Sequence, residues 1–308
     1  MRIVQGLESY PPDAGPAVVA LGVFDGVHLG HREILGTAVT RARDGGLVAV
    51  ACTFEPHPME VLQPGRAPAP IATLNERLEL IAATGVDTTV VLTFTRGLAA
   101  VEPEAFVKDV VLQRLRAREI VVGFNHTFGR GARGNARLLE ELATRLGFRV
   151  DVVPPRIVDG VPVSSSEIRE ALRLGDVERA GRYLGRPYAI GGTVEAGAGR
   201  GHTLGFPTAN IRPDRPLLIA TGVYAGTVEA DGAGHGAVVN VGVRPTFDER
   251  RLVIEAHLLD FTGNLYDRSV RLAFLARLRE ERKFASMEAL RLQIAEDVNT
   301  ARKRLAGG

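Results

Sequence analysis

Two histidines three residues apart, His28 and His31, are the side chains of this chain best placed for chemistry. They lie in GVFDGVHLGH (residues 22–31), between the apolar run VVALGVF (residues 18–24), typical of a buried strand, and a stretch with helical periodicity at residues 31–43. A helix start attracts anions through its free N–H groups and its dipole. Two imidazoles there can donate hydrogen bonds to phosphate oxygens, so the pattern predicts a nucleoside triphosphate site.

Two other interpretations of the histidine pair stay open. The rings could bind a metal ion, for which His57 is the third ligand nearest in sequence and Cys52 is the one cysteine. They could also do no more than cap the following helix, because histidine and glycine are common at turns. The spacing alone does not separate these interpretations from a phosphate site.

Strands and helices alternate along the first half of the chain and would set the positions of these side chains. Such alternation predicts right-handed crossovers and a parallel sheet with helices on both faces. Ligands of these sheets bind beyond the carboxyl ends of the strands, where the loops meet. After the first strand and helix, strands are predicted at residues 47–54, 88–94, 119–124 and 148–153, and helices at 75–83, 103–115 and 135–146.

Two loops at those strand ends carry side chains suited to a flat heterocycle. TFEPHP (residues 53–58) sets His57 between Pro56 and Pro58, which could wall an aromatic ligand or form only a stiff loop. Asn125, in GFNHTFG, can offer a donor and an acceptor to a ring edge, although Asn at a strand end is also a common turn residue.

A serine cluster follows the last predicted strand of this half. Ser164 and Ser165 come before Arg169, and together they offer hydroxyls, helix-start N–H groups and a guanidinium to phosphate oxygens. A serine-rich helix start is also an ordinary N-cap. The cluster therefore predicts either a β- and γ-phosphate site or a plain helix start.

The pattern changes in the second half of the chain. Short alternating strands separated by Gly-rich turns predict a small antiparallel β-barrel. A last helix, residues 286–305, is amphipathic and is expected to pack on that barrel. With the helical stretch 166–184 as a linker, we predict two domains, residues 1–185 and residues 186–308.

Oxygen-bearing side chains in the predicted barrel indicate metal and phosphate chemistry. Thr208 and Asn210 share one face of an extended chain and could hold Mg²⁺ together with nucleotide phosphates. They end GAGRGHTLGFPTAN (residues 197–210), whose glycines let the backbone approach a phosphate closely. Glu255, which shares a strand face with Val253, is either a partly buried general base or a charge at an exposed strand edge.

Composition and charge exclude several classes of protein. The 308 residues include 38 Lys and Arg against 36 Asp and Glu, with 6% aromatic residues and no tryptophan, which gives no basis for a nucleic-acid partner. No apolar stretch has the length of a membrane span, and the N-terminal segment lacks the features of a signal peptide. We expect a cytoplasmic protein without a membrane or nucleic-acid partner, and the sequence leaves self-association open.

Motifs in both halves resemble those of the bacterial bifunctional riboflavin kinase/FMN adenylyltransferase family. The first half carries GVFDGVHLGH, TFEPHP, GFNHTFG and SSSEIR; the second carries GHTLGFPTAN, GVYA, NVGVRPTF, EAHLLDF and RLREERKF. HxGH alone is common to many nucleotidyltransferases, whereas LGFPTAN followed by NVGxxPTF and ExHLLDF is highly specific. The resemblance covers essentially the whole chain. It implies an α/β, Rossmann-like nucleotidyltransferase domain followed by a riboflavin kinase barrel with a terminal helix.

The resemblance implies two ATP-dependent reactions. In the barrel, Glu255 would take a proton from riboflavin while Thr208 and Asn210 hold Mg²⁺, giving FMN. In the first domain, His28 and His31 would act at the α-phosphorus of a second ATP as FMN becomes FAD. The other residues implied are, for ATP and phosphate, Gly22, Phe24, Asp25, Ser164, Ser165, Arg169, Gly199, Gly205 and Pro207, and, for the flavin, Pro56, His57, Pro58, Asn125 and Arg279.

Four positions depart from the family pattern. His126 replaces an aromatic residue, Ser166 a threonine, His202 a basic residue and Asp267 a glycine. None of these changes removes a predicted catalytic group. His126 leaves the flavin or adenine contact open, because an imidazole stacks less apolar surface and can become charged below about pH 6.5.

Two other functions compete with this one. The first domain could adenylylate a different acceptor, such as pantetheine phosphate or nicotinamide mononucleotide, although the barrel with LGFPTAN argues against it. The chain could also be a flavin carrier without catalysis, against which the joint presence of the histidines, Thr208, Asn210 and Glu255 argues.

Overall fold

The chain divides into two units, Met1–Ser164 and Ser165–Gly308. Among the helices of the described residues, none combines the length and the apolar character that crossing a membrane requires. The computed structural model describes residues 1–196, 206–245 and 250–306, with the backbone alone at residues 244, 245, 250 and 251.

A parallel sheet forms the centre of the first unit. Two short hairpins accompany it, β6 (Thr127–Phe128) with β7 (Gly134–Asn135) and β9 (Ile157–Val158) with β10 (Val161–Pro162). The sheet strands are β1 (Arg2–Gln5), β2 (Ala17–Leu21), β3 (Val48–Glu55), β4 (Thr88–Thr93), β5 (Ala117–Gly123) and β8 (Arg149–Val153), in the order β1-β4-β3-β2-β5-β8.

This strand order places a topological switch point beside β2. The chain moves from β2 to β3 and β4 in one direction, and later to β5 and β8 in the other. The loops after β2 and β5 therefore flank the crevice in which sheets of this class bind ligands. The predicted parallel α/β sheet is confirmed. β1 is an extra edge strand that the periodicity does not indicate, because it buries Val4 alone among its four residues.

Helices cover both faces of the sheet. Alternate residues of β2 face opposite ways, so Val18 packs with the helices at Leu29–Gly45 and Leu74–Ala82, while Val19 packs with those at Phe106–Arg114 and Ala136–Leu146. The predicted helix at residues 103–115 is a short α-helical turn that continues as a π-helix. The helical segments are α1 (Leu29–Gly45), α2 (Pro58–Leu62), α3 (Leu74–Ala82), α4 (Arg96–Ala99), α5 (Pro103–Ala105), the π-helix (Phe106–Arg114), a 3₁₀ turn (Arg130–Ala132) and α6 (Ala136–Leu146).

A closed antiparallel barrel forms the second unit, as the sequence predicts. Two helices precede the barrel and one follows it. The elements are α7 (Ser165–Arg173), α8 (Val177–Leu184), β11 (Tyr188–Glu195), β12 (Ala209–Pro213), β13 (Gly222–Ala230), β14 (Ala233–Pro245), β15 (Arg250–Leu258), β16 (Ser269–Arg279) and α9 (Met287–Ala306). The barrel strands follow the order β11-β12-β15-β14-β13-β16.

The helices of the second unit pack on its barrel. On α9, Ala301 is fully buried and Val298 and Leu305 are partly buried against barrel residues such as Val223 and Val238, which confirms the predicted packing of the last helix. The stretch predicted as a linker is also fixed to the barrel. Arg277 of β16 donates to the carbonyl of Leu174, in the turn between α7 and α8.

Candidate active sites

The loop between β2 and α1 is strained and tightly packed. The predicted strand at residues 18–24 is three residues too long, because Phe24 has a φ of 54° that no strand accommodates. Gly26 and Val27 also have positive φ, 72° and 39°. Strain at Phe24 and Val27 persists only where packing holds it, and both side chains are fully buried. A Cβ at Gly22 would lie 2.8 Å from the Phe24 ring, so glycine is required there.

The two histidines stack at the start of α1. The Nδ1 atom of His28 accepts a hydrogen bond from the backbone N–H of His31 at 3.2 Å, which makes His28 the N-cap of the helix. The ring centroids lie 3.6 Å apart, and Phe24 meets the His31 ring edge-on. Burial, and after it the neighbouring His28, holds the pKa of His31 well below its usual value. Nδ1 of His31 is buried without a hydrogen-bond partner in the described structure.

Asp25 ties this loop to the segment before α3. Its buried carboxylate accepts hydrogen bonds from the backbone N–H of Ile71 at 3.0 Å and of Ala72 at 3.2 Å. The methyl Cγ2 of Ile71 also fills the space above Gly26, where a Cβ would lie 2.6 Å from it. Asp25 therefore has a structural role, and its predicted contact with ATP stays a prediction.

Arg77 of α3 is a site residue that sequence reasoning missed. It is 4% exposed and donates to the carbonyls of Val23 and Phe54, both at 3.1 Å, and to the Glu55 carboxylate at 2.5 Å. It therefore fixes the loop after β2 to the carboxyl end of β3. A single arginine on an amphipathic helix usually faces solvent, whereas Arg77 is buried. Only the three-dimensional contact identifies it.

His57, like His28, is the N-cap of a helix. Its Nδ1 accepts a hydrogen bond from the backbone N–H of Met59 at 3.1 Å, and Glu60 completes the capping box of α2. Pro58 occupies the first position of that helix, where its fixed φ is favourable. Pro56 and Pro58 thus make a rigid turn, and the predicted contact of this turn with a flavin stays a prediction.

The loop after β5 presents one exposed and one half-buried polar side chain. Asn125 is exposed, and its Oδ1 lies 3.5 Å from where a Cβ of Gly123 would stand, at the carboxyl end of β5. The His126 ring stacks on Phe128, and burial lowers the pKa of His126 to about 4. The imidazole is therefore neutral at physiological pH. Its Nε2 atom has no hydrogen-bond partner in the described structure.

The hairpin that leads to Ser164 lies against the start of α1. The carbonyl oxygen of Val163 is 3.9 Å from where a Cβ of Gly30 would stand, and Arg156 pairs with Glu33 of α1 at 3.2 Å. Ser164 therefore follows directly on a residue beside the histidine-bearing helix end. Ser165 and Arg169 fall on α7, in the second unit, where they lie four residues apart on one helical face.

In the barrel, polar side chains align across three adjacent strands. Asn210 of β12 lies directly opposite Glu255 of β15, which lies opposite Asn240 of β14. Directly paired residues point to the same face, so the three side chains form a row. Ile254 and Ala256 are buried inside the barrel, which places this row on the outer face. Glu255 is half-buried on an interior strand, so the exposed-edge interpretation is wrong.

The oxygen donors beside Glu255 fit Mg²⁺. Thr208 and Asn210 supply a hydroxyl and an amide oxygen, and Mg²⁺ takes few protein ligands when nucleotide phosphates complete its shell. Among the described residues, no three His, Cys, Asp or Glu side chains cluster as a metal site. Gly199, Gly205 and His202 lie outside the described residues.

Arg279, which is predicted to contact the flavin, binds a carboxylate of α9. Its Nε and Nη2 atoms donate to Asp297 at 3.0 and 2.8 Å, and Asp297 is 4% exposed. Gln293 also donates to Asp297. The Arg279 guanidinium faces the Phe284 ring at 5.6 Å. This cluster joins β16 to α9, and the flavin contact of Arg279 stays a prediction.

Together these features define a class: a nucleotide-directed α/β unit with histidines at a switch point, followed by a β-barrel with a carboxylate and oxygen donors in one row. Comparison with known proteins gives the family. The FAD synthetase model matches residues 11–167, and the riboflavin kinase model matches residues 184–305. The chain belongs to the bifunctional riboflavin kinase/FMN adenylyltransferase family.

Individual relatives agree over nearly the full length. The chain is 38% identical to the bifunctional riboflavin kinase/FMN adenylyltransferase of Pseudomonas fluorescens, covering 98% of this chain and 97% of the relative. It is 36% identical to the protein of that name from Bacillus subtilis, covering 92% and 91%. A solved structure titled as a macrolide-efflux protein from Streptococcus pneumoniae superposes with a TM-score of 0.91 at 32% identity, covering 98% of this chain and 99% of that one.

Proposed function

We propose that this chain makes FAD from riboflavin in two steps, each using ATP. The observation that carries this proposal is the match of both enzyme families on one chain, with full-length relatives that bear both activities in their names. The first step phosphorylates riboflavin in the barrel. The second adenylylates FMN in the parallel-sheet unit and releases pyrophosphate.

For the kinase step we assign Glu255 as the general base. Its carboxylate would accept the proton of the ribityl hydroxyl while that oxygen bonds to the γ-phosphorus of ATP and ADP leaves. The position of Glu255 between Asn210 and Asn240 supports this assignment, because both neighbours can orient a polar substrate or a carboxylate. Bound Mg²⁺, held by Thr208 and Asn210, would neutralise charge on the phosphates.

For the adenylyl step we assign His28 and His31 to the α-phosphate of ATP. A phosphate oxygen of FMN bonds to the α-phosphorus, and the bond to the pyrophosphate oxygen breaks. Hydrogen bonds from the imidazoles, at the positive end of α1, would stabilise the negative charge on the oxygens of the pentacoordinate α-phosphorus. The buried, unpaired Nδ1 of His31 supports this role, since an orphaned polar atom is one that a substrate can satisfy.

The remaining assignments rest on the motifs that resemble those of the family. Ser164, Ser165 and Arg169 would bind the departing pyrophosphate, and Asn125 with the His57 turn would contact the flavin or the adenine. We place both reactions in the cytoplasm, where ATP is available. The domain boundary proposed at residue 185 falls just inside the start of the riboflavin kinase match at residue 184.

One incubation tests the proposal. The purified chain with riboflavin, ATP and Mg²⁺ is expected to give FMN first and then FAD, separated by chromatography and detected by flavin fluorescence. FMN without FAD would mean that the first unit adenylylates another acceptor. Neither product, with riboflavin still bound, would mean a carrier. Addition of EDTA is expected to stop both steps.

A further inference from the structure

His257 sits on the same strand as Glu255 and contacts the segment that carries Thr208. Residues two apart on a strand share a face, so His257 lies on the outer face of β15 beside Glu255. Its Nδ1 atom is 2.9 Å from the carbonyl oxygen of Pro207. A carbonyl can only accept, so Nδ1 carries the proton and donates. The Phe206 ring meets the imidazole edge-on at 5.3 Å.

This contact continues the pairing of β12 with β15 by one more step. Ala209 pairs with Ala256 and Asn210 with Glu255, and β12 begins at Ala209. The same register brings Thr208 opposite His257, where a side-chain hydrogen bond to Pro207 takes the place of a backbone one. Thr208 is therefore held on both sides. The hydrogen bond from His257 fixes Pro207 before it, and the pairing with β15 fixes Ala209 after it.

We propose that His257 is a positioning residue for riboflavin phosphorylation. Its Nδ1–H holds Pro207 so that the Thr208 hydroxyl and the Asn210 amide present their oxygens together, beside Glu255. The inference rests on the proposed kinase function and on Thr208 and Asn210 as the donors for Mg²⁺. Outer groups that orient metal ligands typically affect metal affinity by about 10- to 100-fold when removed.

Three variants separate positioning from packing. His257→Leu keeps the bulk and removes the donor, whereas His257→Asn keeps a donor close to the position of Nδ1. His235→Leu is the matched control, because His235 of β14 packs edge-on against Phe261 at 4.9 Å but pairs with Val228, away from the row of Glu255. FMN adenylylation by each variant reports whether the rest of the chain is intact.

Two measurements give the answer. The first is the Mg²⁺ concentration that half-saturates riboflavin phosphorylation, together with kcat and the KM for riboflavin. The second is calorimetric binding of ADP with and without Mg²⁺, which does not depend on turnover. We expect His257→Leu to raise the half-saturating Mg²⁺ concentration roughly tenfold and to remove most of the Mg²⁺ effect on ADP binding, with the riboflavin KM unchanged. His257→Asn should recover most of both.

Several results would overturn the inference. One is a His257→Leu protein with the wild-type Mg²⁺ dependence; another is an equal change in His235→Leu. If His257→Leu does not fold, His257→Gln takes its place, because its amide is displaced by one methylene. Failure of the proposed function is a separate outcome. In that case Mg²⁺ would not change the affinity of the wild-type protein for ADP, and the double variant Thr208→Ala, Asn210→Ala would bind ADP as the wild type does.

Discussion

The rings of His28 and His31 stack with their centroids 3.6 Å apart and their planes 17° apart. The helix start produces this contact, because His28 is the N-cap and His31 is the third residue of α1, whose N–H the cap binds. The capping interpretation and the phosphate interpretation are therefore compatible. Nδ1 of His28 supports the helix, and both rings lie at the positive end of the helix dipole, where anions are favoured.

The first prediction separates the cap from the chemistry. His28→Asn keeps a side chain that can accept the His31 N–H, whereas His28→Ala loses it at a cost of about 1 kcal/mol of stability. We expect FMN adenylylation to fall by at least about 100-fold in both variants, since each removes an imidazole from the phosphate end. Riboflavin phosphorylation should persist, and thermal unfolding should distinguish the two proteins.

Combining His28→Ala with His31→Ala should abolish conversion of FMN to FAD. Formation of FAD at the wild-type rate by this double variant would show that the histidines serve only the helix.

The second prediction concerns Glu255 as the base. Glu255→Gln preserves the shape of the row with Asn210 and Asn240 but cannot accept a proton, so kcat for riboflavin phosphorylation should fall by about 10²- to 10⁴-fold. Glu229→Gln, an exposed glutamate on β13, is the control and should act as wild type. Steady-state kinetics decide the matter: a change in KM alone would make Glu255 a binding residue.

The third prediction tests Arg77 as the link between the loop after β2 and the carboxyl end of β3. Arg77→Leu leaves the carbonyls of Val23 and Phe54 and the Glu55 carboxylate without this donor, so FMN adenylylation should fall about tenfold or more. Arg215→Leu removes another buried arginine, which lies between β12 and β13 of the second unit, and should leave that activity intact. Unchanged FMN adenylylation in a folded Arg77→Leu protein would contradict the link.

The sequence predicts those parts of the site that depend on local pattern. Apolar periodicity gives the strands beside His28 and Asn125, and motif spacing gives Thr208, Asn210 and Glu255. The sequence does not predict which side chains lie beside these residues when the contact depends on strand register or on a loop far away in the chain. Asn240 lies beside Glu255 because β14 is the neighbour of β15, and nothing in the local spacing states that.

Buried polar contacts are missed for the same reason. Arg77 lies on a helix, 22 residues beyond the Glu55 that it binds. In the sequence of that helix, an isolated arginine is typical of a solvent-exposed position. The early end of β2 also escapes pattern reasoning. Val23 and Phe24 continue the apolar run, but the positive φ of Phe24 comes from packing of its ring above Gly22.

The fourth prediction is a pH dependence of stability that involves His126. Its folded pKa, about 4, lies below the unfolded value of about 6.5, so between these values the unfolded chain binds more protons. Stability from this group is complete above pH 6.5 and is lost as the pH falls towards 4, by about 1–2 kcal/mol at pH 5.

His126→Phe keeps the ring stacked on Phe128 and removes the titrating group. Urea unfolding at pH 7 and pH 5 should therefore show a smaller loss in the variant than in wild type. The His31 pKa is shifted in the same direction, so part of the loss should remain. Equal losses in both proteins would place the pH dependence elsewhere.

The last prediction concerns where the kinase unit begins. Tyr183 and Leu184 of α8 are nearly fully buried in a helix that contacts β11 and β16, and burial of each contributes about 1.5–3 kcal/mol. Arg277 adds hydrogen bonds to Leu174 and Thr221. A fragment of residues 165–308 should therefore fold, phosphorylate riboflavin with ATP and Mg²⁺, and make no FAD.

A fragment of residues 186–308 keeps Thr208, Asn210 and Glu255 but loses both helices, so it should unfold at a lower temperature while any folded fraction still makes FMN. Calorimetry and flavin chromatography on the two fragments check this prediction. Equal stability of the two fragments would place the start of the kinase unit after residue 185. A longer fragment that folds but forms no FMN would contradict the kinase assignment.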